Sequence, residues 1–457
     1  MKRPLPPSRS EQLDALFACP VIHDLAHDVG NLTHRSRRHP VALHIAFGAM
    51  ARLYRSAHRL DAELVHQTFW DQIVERYNKG AARHPFGVEV DPHAHPLTSD
   101  TYRHVRDWLT VDDHLAALQA SFTEHSVWIA NEIGLLLPSG KGSRTRPDPT
   151  RTIYGDGTIV RPLYRQADTG RQDLDAEEHS RHDGQIYGND LVAIAVRGPE
   201  KHSRVVLAIG RVHARGHEAA TAVELIRQVH AVADDGIQAV VYDGAFRGVH
   251  HDTIMTELGL VVVNKVHAKS KGSVVSSHRQ IPIGQWGHVV NKRTCVHTLI
   301  VNNGSVHDSS FDDGGQLTLS NPLVRTQVRR YKRGGSNGWR FTLGVVVPCP
   351  KGAFTAWISP HRQSRERGYG RADQLRLLPE SDSHFQTLYG LRNDSESINS
   401  AYKRTLVADR ASARGWRRQV LDLMSWGVLV NSLAWQQHAT DQRSPADTAA
   451  SQAMGLN

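Results

Sequence analysis

Residues 388–406 read LYGLRNDSESINSAYKRTL, and four of them recur at helical spacing. Arg392, Glu396 and Lys403 follow Tyr389 by 3, 7 and 14 residues. At about 100° per residue, these offsets gather the four side chains within roughly 60° of one helix face. A core helix would carry apolar residues at these steps, and i,i+4 charge pairs on a solvated face are the alternative interpretation. The spacing favours a functional face.

The start of this helix is open from the sequence. Four residues near its beginning are poor helix formers: Gly390, Asn393, Asp394 and Ser395. A helix that begins near Ser395 is therefore an alternative to one that begins at Tyr389.

Two aspartates lie upstream in runs typical of β-strands. Asp156 interrupts the apolar run in residues 151–164, RTIYGDGTIVRPLY, although Asp-Gly is also a common hairpin turn. Asp243 ends the apolar run of residues 237–248, IQAVVYDGAFRG, which is typical of a buried parallel strand. A charged Asp in an apolar strand costs stability unless it is paired, hydrogen-bonded or bound to a metal.

The elements around these aspartates follow a recognisable order. We predict strands at 189–198 and 203–213, a helix that Gly236 ends, and a helix and strand after Asp243. Residues 166–188 are polar and acidic, and we predict a loop there. Residues 151–266 therefore have the predicted order β-β-β-α-β-α-β.

The Tyr-x2-Arg-x3-Glu-x6-Lys spacing resembles the signature of DDE transposases of the IS4-like group. This resemblance implies an α/β fold with an RNase H-like catalytic core, a mixed sheet with flanking helices, interrupted by a β-rich insertion and preceded by an all-helical N-terminal domain. The order β-β-β-α-β agrees with such a core, with Asp156 on its first strand and Asp243 at the end of its fourth.

The resemblance also implies the chemistry. Asp156, Asp243 and Glu396 would be the catalytic residues and would hold two Mg²⁺ ions, with Mn²⁺ able to substitute. Asp394 is a rival for the third acid. The reaction would be phosphodiester cleavage at transposon ends, followed by strand transfer of the 3′-OH into target DNA. Lys403, Arg392 and Tyr389 would contact DNA phosphates near the cleaved end.

A basic segment lies within the predicted insertion. Residues that we expect to contact DNA there alternate with aromatic side chains and are Arg325, Arg329, Arg330, Lys332, Arg333 and Arg340. An Arg-rich hairpin edge protected against aggregation is the alternative. Trp286 and Trp339 are candidates for base stacking, against a purely structural role.

The sequence suggests five regions. Residues 1–147 would form the helical N-terminal domain, either DNA-binding or oligomerising. The catalytic core would comprise 148–266 and 379–440, the β-rich basic insertion 267–378, and a disordered tail 441–457.

Composition limits the class of protein. The chain has 457 residues, 39% of them hydrophobic and 22% charged, which suits folded domains rather than wholesale disorder. Its formal charge of +9 suits a polyanion partner. The three Cys form no CxxC pair, which suggests a reducing compartment. No long apolar segment is present, so we expect a cytoplasmic bacterial protein with no membrane partner.

The expected partners are transposon-end and target DNA, bound by a homodimer because two ends must be joined. A non-mobile nuclease of the same superfold is one alternative, and a transposase-derived DNA-binding protein that has lost activity is another.

Overall fold

A computed structural model describes residues 7–30, 38–164, 172–181, 184–266, 280–332, 338–361 and 371–442. The fold is mixed α/β, as predicted, with helices at the N-terminus and several sheets. Two compact units share the chain. We call residues up to 135, 157–217 and from 396 onward the helical unit, and residues 136–156 and 218–395 the β-rich unit.

In residues 7–30 and 38–135, seven helices open the helical unit, so the prediction of helices at the N-terminus is confirmed. They are α1 (Arg9–Ala18), α2 (Val21–Gly30), α3 (Val41–Leu53), α4 (Ala57–Leu64), α5 (Gln67–Ala81), α6 (Ser99–Leu109) and α7 (Asp112–Glu132). Thr98 caps α6, since its hydroxyl accepts from the Thr101 N–H at 3.2 Å.

Six strands and two helices follow. They are β1 (Thr152–Val160), β2 (Glu177–Arg181), β3 (Gly184–Arg197), β4 (Arg204–Arg211), α8 (Glu218–Ala233), β5 (Ala239–Val241), α9 (Gly248–Thr253) and β6 (Val261–Val263). In the helical unit, β3 pairs antiparallel with β2 and β4. In the β-rich unit, β5 pairs parallel with both β1 and β6.

The predicted loop at 166–188 is wrong where the structure describes it. Residues 177–181 form β2, and β3 begins at Gly184. The two strands pair through a mostly polar set of residues, for example Ser180 with Gln185. Backbone pairing satisfies the amide groups there although the side chains lack the apolar alternation that indicates a half-buried strand.

The segment in which we predicted a β-rich insertion forms two antiparallel sheets within the β-rich unit. The first contains β7 (Gln280–Val290), β8 (Arg293–Asn302), β9 (Ser305–Phe311) and β10 (Leu317–Leu319). The second contains β11 (Val324–Lys332), β12 (Trp339–Val347) and β13 (Phe354–Ile358).

The stretch 388–406 forms parts of two helices rather than one. After α10 (Arg371–Gln374), α11 (Ser383–Tyr389) ends at Tyr389 and α12 (Leu391–Arg404) begins two residues later. Gly390 closes α11 by donating its N–H to the Gln386 carbonyl at 3.0 Å, and its own carbonyl accepts from the Asn393 N–H at 3.1 Å. The alternative start near Ser395 is therefore also wrong.

The last helix, α13 (Trp416–Asp441), packs in the core of the helical unit. Asn431, fully buried on α13, bonds the N–H and carbonyl of Val206 in β4 at 2.8 and 2.9 Å. Neither α13 nor any other helix in the described part of the chain is long and apolar enough to cross a membrane.

Candidate functional site

Asp156 lies within β1, and Asp243 lies two residues beyond the end of the neighbouring parallel strand β5 in the β-rich unit. Tyr154 is paired with Val241 in the parallel β1–β5 ladder. The Tyr242 N–H donates to the Val263 carbonyl at 3.3 Å, so hydrogen bonding to β6 continues one residue past β5. An extension of the β1–β5 register by two residues would bring Asp156 opposite Asp243, and paired strands lie about 4.8 Å apart. Residues two apart on a strand share a face, so Asp156 lies on the same face of β1 as Tyr154.

The hairpin-turn alternative for Asp156 is wrong. Asp156 and Gly157 lie inside the nine-residue strand β1, and β1 continues to Val160. The Asp156 side chain is half-buried, as is that of Asp243. Two partly solvated carboxylates in register repel each other, which a cation between them would offset.

The loop that carries Asp243 is held by specific hydrogen bonds. The Ala245 N–H donates to Asp243 Oδ1 at 2.7 Å. Asn264, fully buried, donates its side-chain amide to the carbonyls of Asp243 and Phe246 at 3.2 and 3.0 Å. The Phe246 ring stacks on Tyr242 with centroids 4.2 Å apart. The position of Asp243 is therefore set by the fold rather than by a ligand.

Two buried phenols donate to carboxylates beside these strands. Tyr242 Oη donates to Glu218 Oε1 at 2.9 Å, and Tyr154 Oη donates to Asp394 Oδ2. Burial raises the pKa of Tyr242 well above its usual range, and three nearby carboxylates raise this pKa further. Those carboxylates belong to Glu218, Asp156 and Asp243.

Tyr389 lies at the end of α11, apart from the other motif residues on α12. Its ring stacks on Phe385 with centroids 4.9 Å apart, and Lys265 Nζ lies 5.5 Å from the ring centroid. Burial raises the pKa of Tyr389, while the charges of Arg392 and Lys265 lower this pKa and that of Asp243 raises it. Tyr389, Arg392 and Lys265 thus lie close enough to Asp243 to share its electrostatic field.

Sequence reasoning missed Lys265. It follows the apolar run of β6 after a single intervening residue, Asn264. Strand ends collect polar groups in parallel sheets, so its position one strand away from Asp243 was the available signal. Its ammonium also forms an ion pair with Glu380 at 3.3 Å.

Three motif residues keep the predicted spacing on α12. On an ideal helix, Glu396 lies about 40° and Lys403 about 20° from Arg392. Arg392 belongs to the β-rich unit, whereas Glu396 and Lys403 belong to the helical unit. Glu396 is exposed and Lys403 half-buried. Within the helical unit, Asn399 Nδ2, on the same side of α12, donates to the Gly157 carbonyl at 3.1 Å.

Asp394, the rival third acid, has a different environment. It is about 160° around the helix from Glu396. Its side chain is buried, with 7% of the residue exposed, and it accepts the Tyr154 phenol. Asp394 is therefore already engaged by a protein donor.

The carboxylates of Asp156 and Asp243 suit Mg²⁺ or Mn²⁺, because both ions prefer hard oxygen ligands. Among the residues that the structure describes, no three His, Cys, Asp or Glu side chains are grouped closely enough to hold a metal ion. Of the predicted set, Asp156 and Asp243 both belong to the β-rich unit, and Glu396 belongs to the helical unit.

Several basic residues of the insertion are engaged by the protein itself. Arg325 Nε and Nη2 each lie 2.8 Å from Asp382 Oδ2, and its Nη1 donates to the Thr145 carbonyl. Only 7% of the Arg325 side chain is exposed. Arg330 pairs with Asp235 at 3.3 Å. These two guanidinium groups tie β11 to neighbouring segments of the β-rich unit.

Aromatic rings stack with several of the basic side chains on β11. Arg329 Cζ lies 3.8 Å from the centroid of Trp357. Arg330 Cζ and Lys332 Nζ lie 3.8 and 4.7 Å from the centroid of Trp339. Cations therefore cover the Trp339 ring where a nucleobase was predicted to stack.

The remaining residues that were predicted to contact DNA lie in different surroundings. Arg340 Nη1 donates to Thr256 Oγ1 at 3.4 Å. Trp286 is half-buried on β7, opposite His297 of β8. Arg333 lies outside the described residues, as do residues 443–457 of the predicted tail.

Comparison with known proteins adds no assignment. No protein-family model matches the chain, and no curated protein matches its sequence significantly.

Proposed function

We propose that this protein is a DDE transposase similar to the IS4-like group. The proposal rests on the position of two carboxylates along neighbouring parallel strands: Asp156 lies within β1, and Asp243 follows β5 by two residues. Carboxylates on adjacent strand segments suit metal-dependent phosphodiester chemistry. The Tyr-Arg-Glu-Lys spacing further along the chain favours transposition among the reactions of this kind.

The order of the elements supports an RNase H-like core. Strand β1 is followed along the chain by the antiparallel pair β3 and β4, and then by helix α8. Helix α8 leads to β5, which is parallel to β1. This is the succession expected for the core, with β2 as an addition.

The face of the sheet supports the role of α12. Tyr154, two residues before Asp156 and on the same face, bonds Asp394 in the first turn of α12. The start of the signature helix therefore contacts the face of β1 that carries Asp156. We propose Glu396 as the third acid, from its place in the motif.

The chain's own residues would act as follows. Asp156, Asp243 and Glu396 would hold divalent ions, which stabilise the attacking and leaving oxygens of phosphoryl transfer. Lys265, Arg392 and Lys403 would hold the phosphates of the DNA end by charge-assisted hydrogen bonds. Tyr389, beside Lys265, would pack against the terminal nucleotide.

The proposed reaction has two steps. Water attacks the phosphorus at a transposon end, the P–O3′ bond breaks, and the strand is left with a free 3′-OH. That hydroxyl then attacks a phosphodiester of target DNA and displaces another 3′-oxygen. A dimer bound to two ends would join both to one target.

A strand-transfer assay tests the proposal. Labelled duplexes with the inverted repeats that flank the gene are incubated with the full chain, target plasmid and Mg²⁺. Asp243→Asn is expected to abolish cleavage and transfer while DNA binding remains. Asp313→Asn, at an exposed acid in the turn after β9, is the matched control and should behave as wild type. Transfer by Asp243→Asn at the wild-type rate would overturn the assignment.

A further inference from the structure

Two tyrosines flank the proposed acids from opposite faces of the sheet. Tyr154 of β1 is paired with Val241, so Tyr242, one residue further, points to the other face. Both tyrosines are fully buried. Each donates its phenol to a carboxylate in the first turn of a helix: Asp394 of α12 and Glu218 of α8.

In these pairs, protein groups stabilise the negative charge of each carboxylate, so the charge does not require a metal ion. An ionised carboxylate only accepts hydrogen bonds, so each phenol is the donor. The positive end of the helix dipole also stabilises a negative charge in the first turn. A phenol and a helix N-terminus are therefore among the protein groups that stabilise the charge of Asp394 and of Glu218.

The pairs lie close to the proposed ligands in the chain. Tyr154 precedes Asp156 by two residues, and Tyr242 immediately precedes Asp243. Tyr242 also stacks on Phe246, within the loop that carries Asp243. A shift of either tyrosine would also move the adjoining backbone, and with it the neighbouring proposed metal ligand.

We propose that Asp394 and Glu218 are positioning residues that fix Asp156 and Asp243 through Tyr154 and Tyr242, and are not metal ligands themselves. This inference rests on the proposed function and refines it. It removes Asp394 as a rival third acid and assigns a role to Glu218, which the motif does not include.

If Asp394 and Glu218 are metal ligands, substituting them should weaken Mn²⁺ binding most. If they are positioning residues, removing the phenols should weaken Mn²⁺ binding most. An amide oxygen can still accept from a phenol, so Asp394→Asn and Glu218→Gln keep the positioning bond but remove a charged ligand. Tyr154→Phe and Tyr242→Phe remove the bond but leave the carboxylate. Loss of a group that orients a metal ligand typically weakens metal binding by about 10- to 100-fold.

The test is Mn²⁺ binding to the full chain without DNA, followed by electron paramagnetic resonance. We expect Asp394→Asn and Glu218→Gln to bind Mn²⁺ within about threefold of wild type, and the two Tyr→Phe variants to bind about tenfold more weakly. Thermal unfolding of each variant shows whether it is folded. If Tyr154→Phe unfolds, Tyr154→Phe combined with Asp394→Leu removes both partners and so leaves no unpaired buried carboxylate; it should also bind Mn²⁺ weakly.

Each other outcome overturns a defined claim. If Asp394→Asn or Glu218→Gln weakens Mn²⁺ binding as much as Asp243→Asn does, that residue is a ligand. If folded variants that lack the phenols bind Mn²⁺ as wild type does, the positioning role is wrong. If Asp243→Asn itself binds Mn²⁺ with wild-type affinity, the proposed metal site fails, whatever the tyrosine variants show.

Discussion

Asn264 donates its side-chain amide to the main-chain carbonyl of Asp243 at 3.2 Å, and it is itself fully buried. The same amide also bonds the Phe246 carbonyl at 3.0 Å. The loop between β5 and α9 thus depends on one side chain from the end of the next strand.

Asn264→Asp should therefore disturb both stability and activity. The substitution removes the two donors and places a carboxylate against two carbonyl oxygens. Each buried acceptor left without a donor costs about 1–3 kcal/mol. We expect a lower unfolding temperature and loss of strand transfer. Asn321→Asp, at an exposed site before β11, is the control and should change neither the unfolding temperature nor strand transfer. A wild-type unfolding temperature for Asn264→Asp would contradict the role given to the Asn264 hydrogen bonds.

Arg325 should act on stability, in contrast to Arg329. Removing one partner of the buried Arg325–Asp382 pair leaves an unpaired charge, which costs about 3–5 kcal/mol. Arg325→Ala should lower the free energy of unfolding in urea by an amount of this order. Arg329→Ala, at an exposed position, should leave stability nearly unchanged.

DNA binding should depend more on Arg329 than on Arg325. Arg329→Ala is expected to weaken DNA binding and to reduce the slope of log affinity against log salt by about 1. The measurement is fluorescence anisotropy with a labelled duplex at several salt concentrations. An unchanged slope would exclude Arg329 from the DNA interface.

Lys265 should contribute to binding of the DNA end. It lies beside Tyr389 and shares the surroundings of Arg392 and Asp243. Lys265→Ala should weaken binding of a pre-cleaved end and slow strand transfer, since one phosphate contact is lost. Lys265→Arg should restore much of both. Lys292→Ala, in the exposed turn between β7 and β8, provides the control; equal binding by Lys265→Ala and Lys292→Ala would contradict the role.

His23 should make the helical unit less stable in acid. Burial beside the His84 ring lowers the pKa of His23 from about 6.5 to about 4. Below pH 6.5 the unfolded chain therefore binds a proton at His23, whereas the folded chain binds that proton only near pH 4. The stability from this group is complete above pH 6.5 and is lost as the pH falls towards 4.

Thermal unfolding at pH 5 and pH 7.5 measures this effect. His23→Gln should reduce the difference in unfolding temperature between the two pH values, because the group that titrates is gone. His93→Gln, at an exposed histidine, should leave that difference as in wild type. A pH dependence in His23→Gln equal to that of wild type would show that other groups are responsible.

Much of the fold follows from periodicity and apolar runs. The helical N-terminal region, the β3–β4 hairpin and the strands of the insertion have strong signals of this kind. Asp156 was ambiguous because Asp-Gly suits a turn as well as a strand. The structure decides in favour of the strand, because β1 continues through Asp156 to Val160. Strand pairing depends on long-range contacts that local sequence does not encode.

The site was less predictable than the fold. Arg392, Glu396 and Lys403 all lie on α12, but Tyr389 falls on α11 because Gly390 divides the helices. Arg325 has the composition of a DNA contact, yet Asp382, 57 residues away, engages its side chain. Lys265 was missed because the proximity of β6 to β5 appears only in the folded sheet.

Anomalous diffraction from crystals soaked in Mn²⁺ tests the central claim most directly. The account predicts a Mn²⁺ peak that contacts carboxylate oxygens of both Asp156 and Asp243 at about 2.0–2.3 Å, and no such peak in crystals of Asp243→Asn. A wild-type map with saturating Mn²⁺ that shows no peak between these two carboxylates would contradict it.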